Sequence, residues 1–124
     1  MLEIFPKLRA AFLEAGAGWL PFWMERLDEH FELMPDYTPF LHRKPSDVIR
    51  SENFFISCDP DEATLPHVVN VVGAEHILYA SDYPHFDGRF PHTVSLTAGR
   101  AEFPPEVRRK ILHQNPMRLY TRLK

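Results

Sequence analysis

The sequence has little of several features that mark particular classes of protein. It has a single cysteine, Cys58, so no internal disulfide can form, which favours a reducing compartment. It has no run of about 20 apolar residues, the length of a membrane span, and its first residues (MLEIFPKLRA) lack the apolar core of a signal peptide. The 14 Lys and Arg residues do not outnumber the 17 Asp and Glu residues, so the composition does not indicate a basic surface that could bind a nucleic-acid backbone. We therefore predict a soluble, cytoplasmic protein with neither a membrane nor a nucleic-acid partner.

What the chain does have is proline. Twelve prolines occur in 124 residues, and they fall between apolar runs rather than in one cluster. Because proline interrupts both helices and strand ladders, this distribution indicates many short elements in one folded unit. Residues 1–124 are predicted to form a single unit, since the length is that of one small domain.

The apolar residues predict alternating strands and helices. Three continuous apolar runs are predicted to be strands: Arg9–Glu14, Asn53–Cys58 and His76–Ala80. One helix face has apolar residues at spacings of three and four, and these are Leu20, Trp23, Met24, Leu27, Phe31 and Met34. The other predicted helices are a short one at Pro45–Arg50, one beginning at Asp59–Glu62 and ending at Gly73, and two at Pro104–His113 and Asn115–Leu123, with Asn115 as N-cap.

This order of elements predicts an α/β fold with a parallel sheet, because continuous apolar strands are typical of sheets covered on both faces. Each predicted strand ends on or next to an acid, namely Glu14, Asp59 and Asp82. Parallel strands would bring all three to the edge where βα units bind ligands. We interpret Asp59 as a helix N-cap. Glu14 and Asp82 precede segments that offer them no capping role, and we interpret both as functional residues.

Four segments carry a family resemblance: FPKLRAAFLEAGAGWLPFWMERLDE, SDVIRSENFFISCDPDE, HILYASDYPHFDGRFP and ILHQNPMRLY. In this order and spacing they resemble the C-terminal part of the amidohydrolase-related family. That family includes aminocarboxymuconate-semialdehyde decarboxylase, resorcylate-type decarboxylases and metal-dependent hydrolases. The resemblance implies that the chain supplies about three βα units of a TIM-type (β/α)8 barrel.

The resemblance also implies roles for particular residues. Asp82 matches a metal-binding aspartate after the eighth strand, a ligand for a divalent metal, Zn or Mn. Glu14 stands where the decarboxylases have an acid/base histidine, and it departs from them as a glutamate. Arg26 matches an arginine that reaches a substrate carboxylate across a dimer interface, although a solvated helix arginine is an equal interpretation. His85, three residues beyond Asp82, is a candidate substrate-binding residue.

The remaining metal ligands of the family, a His-x-His or Glu-x-His pair and a histidine of the fifth strand, are expected to precede Met1. We therefore predict a C-terminal fragment of a metal-dependent hydrolase or carboxy-lyase that is inactive alone. Its substrate would be a small carboxylate or amide-type molecule, and the chain would form a homo-oligomer or pair with the rest of its barrel.

Two alternatives belong to other classes. One is a stand-alone, non-catalytic α/β module that uses its strand edges for association. The other, a phosphate-binding domain, is disfavoured because Gly16–Gly18 lacks the G-x-G-x-x-G spacing and Glu14 would repel an anion.

Overall fold

The computed structural model describes residues 1–123. Its centre is a three-stranded sheet of β1 (Ala10–Phe12), β2 (Phe54–Cys58) and β3 (Ile77–Tyr79) in the order β1-β2-β3. Both pairings are parallel, with Phe12 opposite Ile56 and Ile56 opposite Ile77. The predicted parallel sheet is confirmed, and each strand is shorter than its apolar run.

Helices connect and flank the strands. They are α1 (Leu20–Leu33), α2 (Pro45–Ile49), α3 (Leu65–Val72), α4 (Thr93–Ala98), α5 (Pro105–Arg109) and α6 (Asn115–Leu119). A π-helical turn, Lys110–Gln114, joins α5 to α6, and 3-10 turns occur at Pro35–Tyr37, Ala74–His76 and Thr121–Leu123. As predicted, α1 has proline in its first turn and stops just before Pro35. No helix among residues 1–123 has the length and apolar character needed to cross a bilayer.

The core lies between the sheet and its helices. All five residues of β2 are buried, as expected for a central parallel strand. Alternate residues of β2 pack in the main apolar cluster with Leu20, Met24, Leu65 and Val68 of the helices. Cys58 ends this strand inside the cluster, and burial raises the pKa of its thiol to about 12. The thiol is therefore an inert core group.

The interpretation of Asp59 as a helix N-cap is wrong. Helix α3 begins at Leu65, with Thr64 at its N-cap, and residues 59–64 form a turn. The physical reason is Pro66. In a helix that began near Asp59, Pro66 would lie in the interior and remove a backbone hydrogen bond, whereas in α3 it lies in the first turn, where no bond is lost.

The interpretation of Asn115 as an N-cap is also wrong. The chain passes from α5 through the π-helical turn directly into α6, and Asn115 has helical dihedral angles. Its side-chain amide is buried and donates to the carbonyl oxygens of Ala74 and Ile77, each at 2.7 Å. Pro116 lies in the first turn of α6, directly after the π-helical turn, and the helix continues through it without a break.

Helix α4 was not predicted. Its sequence, TVSLTA, combines hydroxyl and β-branched residues that are weak helix formers. Both Thr93 and Thr97 are buried, and the Thr97 hydroxyl donates to the Thr93 carbonyl at 3.2 Å. Tertiary packing therefore determines this helix more than local propensity does.

Candidate active site

Glu14 and Asp82 lie at the same edge of the sheet. Glu14 follows β1 by two residues and Asp82 follows β3 by three, and because the strands are parallel both lie beyond the carboxyl ends. The two residues line one small cavity of about 190 Å³. Its lining is Leu13, Glu14, Leu78, Tyr79, Ala80, Asp82, Pro116 and Tyr120. This placement is where α/β folds bind their ligands.

The backbone at these two positions is unusual. Glu14 (φ 61°) and Asp82 (φ 51°) are the only non-glycine residues with positive φ among residues 1–123. The left-handed conformation is uncommon for residues with a side chain, because it costs conformational energy. Folded proteins tend to retain such strained conformations at functional sites. The Glu14 amide donates to the Ser57 hydroxyl at 3.2 Å, and the Asp82 carbonyl accepts from the His85 amide at 2.6 Å. Strain at both acids supports their interpretation as functional residues.

The charge at this edge is negative. Burial, and then the negative charges of Glu62 and Asp82, raise the pKa of the Asp59 carboxyl above its ordinary value. The guanidinium groups of Arg89 and Arg100 already form ion pairs with other carboxylates. Arg89 pairs with Asp61 at 2.9 Å, and Arg100 pairs with Glu102 at 2.7 Å. An edge with this charge is suited to a cation rather than to an anion.

The two other predicted site residues lie further out. His85 is exposed and does not line the cavity, and its Nδ1 lies 3.7 Å from an Asp87 carboxylate oxygen. Arg26 lies midway along α1, where its guanidinium pairs with Glu29 of the same helix, and it does not line the cavity. Within one chain, the structure brings Glu14 and Asp82 together and leaves Arg26 apart.

Carboxylates of the type found here are suitable ligands for a divalent ion, but the set is incomplete. Among residues 1–123, no three His, Cys, Asp or Glu side chains are close enough together to hold a metal. Zinc sites ordinarily use three or four protein ligands. The carboxylate of Asp82 thus fits part of a metal site.

Sequence interpretation missed two residues at this edge. Glu62 accepts hydrogen bonds from the β1–α1 loop, and Arg100 donates to the carbonyl oxygens of Pro60 and Glu62. The available signal was the pair Gly16 and Gly18, since closely spaced glycines after a strand indicate a close approach of the backbone to another group. The identity of that group could not be derived from spacing.

Comparison with known proteins defines the family. The family model described as amidohydrolase matches residues 1–122. The chain therefore belongs to the amidohydrolase family. No curated protein matches it.

Solved structures agree with this assignment. An amidohydrolase from Mycobacterium avium subsp. paratuberculosis K-10 is 30% identical, with a TM-score of 0.80 over 95% of this chain and 29% of its own. A 5-carboxyvanillate decarboxylase from Sphingomonas paucimobilis is 26% identical, with a TM-score of 0.78 over 97% of this chain and 36% of its own. A dihydroxybenzoic acid decarboxylase from Polaromonas sp. JS666, solved with manganese and 2-nitroresorcinol, shares the fold at 23% identity and a TM-score of 0.71, over 99% of this chain and 36% of its own. These neighbours are TIM barrels, and the chain spans about a third of their length.

Proposed function

We propose that the chain is the C-terminal third of a metal-dependent amidohydrolase barrel that acts on a small carboxylate or amide-type substrate. The observation that carries the proposal is the placement of Glu14 and Asp82. Both follow parallel strands in left-handed conformation, and both line one cavity at the carboxyl edge. The chain holds only part of the active site, so it is inactive alone.

Asp82 is the proposed metal ligand. Its carboxylate lies at the negatively charged edge. Mn²⁺ prefers oxygen donors of this kind, and Zn²⁺ also binds them. The manganese in the Polaromonas decarboxylase supports a divalent ion in this family. When bound, such an ion polarises a substrate oxygen or lowers the pKa of a coordinated water. The remaining ligands come from residues outside this chain.

Glu14 is the proposed general acid/base. It lines the same cavity as Asp82, so it can accept a proton from the substrate or deliver one to it. His85 is proposed to contact the substrate at the mouth of the cavity. Arg26, which does not line the cavity within its own chain, is proposed to reach the substrate carboxylate of a neighbouring subunit in a homo-oligomer.

Decarboxylation and hydrolysis both fit this arrangement. The likeness to the Sphingomonas decarboxylase favours carboxy-lyase chemistry on an aromatic carboxylate. A glutamate at position 14 fits hydrolysis as well, because activation of a water needs only a base beside the metal.

Glu14→Gln is expected to separate catalysis from metal binding. In a complete barrel that contains this chain, turnover of 5-carboxyvanillate with Mn²⁺ should fall by about 100-fold or more, the usual contribution of a general acid/base. Metal content should not change, because the proposed ligand is Asp82. Steady-state kinetics and elemental analysis measure the two effects.

The matched control for that experiment is Glu106→Gln, at an exposed acid in the first turn of α5. This variant should retain full turnover. Loss of the metal in Glu14→Gln would make Glu14 a ligand, and unchanged turnover would remove it from the proposed mechanism.

A further inference from the structure

The turn that carries Glu14 needs stabilising contacts from residues outside the turn. Residues 14–18 include two left-handed positions, Glu14 (φ 61°) and Gly16 (φ 59°), and the Glu14 side chain is exposed. The Trp19 indole N–H donates to the Gly16 carbonyl at 3.0 Å and closes one side of the turn. Because a left-handed glutamate costs conformational energy, the turn needs further contacts to keep this shape.

Glu62 supplies the main contact. Both of its carboxylate oxygens lie 3.0 Å from the backbone nitrogen of Ala17. Ala17 is fully buried, and within the described part of the chain its N–H has no hydrogen-bond acceptor other than Glu62. The Thr64 hydroxyl donates to the same carboxylate at 2.8 Å and fixes its orientation. A buried N–H bonded to an ionised acceptor makes a stronger hydrogen bond than a neutral pair.

The contact is close enough to require a glycine. A Cβ on Gly18 would lie 2.3 Å from the Thr64 hydroxyl oxygen and 3.0 Å from a Glu62 carboxylate oxygen. The loop after β1 thus packs directly against the loop after β2. A side chain at position 18 would push the two loops apart.

Arg100 fixes the other side of Glu62. Its guanidinium donates to the Glu62 carbonyl at 2.8 Å and to the Pro60 carbonyl at 3.4 Å, and it pairs with Glu102. It also lies over the Phe103 ring, 5.0 Å from the centroid, and its side chain is only 9% exposed. The backbone of Glu62 is therefore anchored independently of its carboxylate.

From these contacts we infer that Glu62 is a positioning residue, which holds the Glu14 turn, and so the Glu14 carboxylate, at the carboxyl edge of the sheet. The inference rests on the proposed function, in which Glu14 transfers the proton. Glu62 is not assigned as a metal ligand, because both of its oxygens already accept hydrogen bonds from the chain.

The test compares Glu62→Ala with Glu62→Gln in a complete barrel containing this chain, with Mn²⁺ and 5-carboxyvanillate. Glu62→Ala should lower kcat by about tenfold or more, because the Ala17 N–H loses its acceptor, while KM and metal content change by no more than about twofold. Glu62→Gln should restore most of the kcat, since one amide oxygen can still accept from Ala17 and Thr64. If Glu62 acted only through its charge, the two variants would be equally impaired, and that result would overturn the inference.

Asp28→Ala is the matched control. The Asp28 carboxylate accepts from the Ser46 amide at 2.9 Å and the Ser46 hydroxyl at 2.6 Å, a comparable contact that lies outside the cavity. This variant should lose stability to a similar degree and keep its kcat. Equal loss of kcat in Asp28→Ala and Glu62→Ala would reduce Glu62 to a structural role.

Hydrogen exchange separates this inference from the proposed function. Glu62→Ala should raise amide exchange at residues 14–18 by about tenfold or more, and Asp28→Ala should raise it only around Ser46. Absence of turnover in the wild-type barrel, together with this exchange pattern, would count against the proposed substrate and leave the positioning contact supported. Unchanged exchange at residues 14–18 would overturn the contact itself.

Discussion

Asp82→Asn in a complete barrel containing this chain is expected to remove nearly all turnover and to weaken metal binding. An amide oxygen is a neutral and much poorer donor than a carboxylate, so the metal loses both a ligand bond and its charge balance. Loss of a residue that only hydrogen-bonds to a metal ligand lowers metal affinity or activity by about 10- to 100-fold. Loss of a direct ligand should therefore lower both turnover and metal affinity by at least about 100-fold. Metal titration and steady-state kinetics measure the two losses.

Asp87→Asn is the matched control for this change. Asp87 lies five residues beyond Asp82 in the same loop, and its side chain is 67% exposed. Its replacement should change turnover and metal affinity by no more than about twofold, as for most exposed polar positions. Equal, mild effects at positions 82 and 87 would mean that the metal ligand has been misassigned.

The second large effect concerns association of the isolated 124-residue chain. In residues 1–123, β1 pairs with β2 on one side only, and beside it lies an apolar groove of about 600 Å³ between β1, α1 and α2. Phe12 and Trp23 line this groove and are each 49% exposed. A free strand edge next to an apolar surface favours pairing with another chain. We therefore expect the isolated chain to dimerise or aggregate at low micromolar concentration, as measured by light scattering.

Trp23→Lys should weaken this association by about tenfold or more, because a large aromatic in a groove is a typical anchor of an interface. Phe86→Lys is the control. Phe86 is 98% exposed in the loop after β3 and does not line the groove, so its replacement should leave association unchanged. A stable, cooperative monomer that binds no hydrophobic dye would favour the alternative of a stand-alone module.

Much of the fold could be predicted from the sequence because its strands are continuous apolar runs and its longest helix has a strong periodic pattern. The segment that became β2 is apolar throughout, the segment that became α1 has an apolar face, and both are bounded by proline or turn residues, so local physics and tertiary packing agree. The error at Asp59 came from overlooking a local signal, Pro66, whereas the error at Asn115 arose where tertiary contacts decide. Asn115 has the right local context for an N-cap, but its amide instead satisfies the carbonyls of Ala74 and Ile77, which are distant in sequence.

The candidate site was predictable in position but not in its supports. Acids directly after strands identify an edge, and the parallel topology places Glu14 and Asp82 together there. The contact between Glu62 and the Ala17 amide links residues 45 positions apart, and no spacing rule indicates such a pair. The strained backbone at Glu14 and Asp82 is likewise a property of the folded chain that residue type alone does not reveal.

Metal analysis of the isolated chain beside a complete barrel that contains it tests most directly whether Glu14 and Asp82 belong to a site completed from outside. Both proteins would be loaded with Mn²⁺ or Zn²⁺, exchanged into metal-free buffer and measured by elemental analysis. The complete barrel is expected to retain about one ion per chain, and the isolated chain well under one, because a single proposed ligand falls short of the three or four that a tight site uses. A full, tightly held ion in the isolated chain, or none in the complete barrel, would contradict this account.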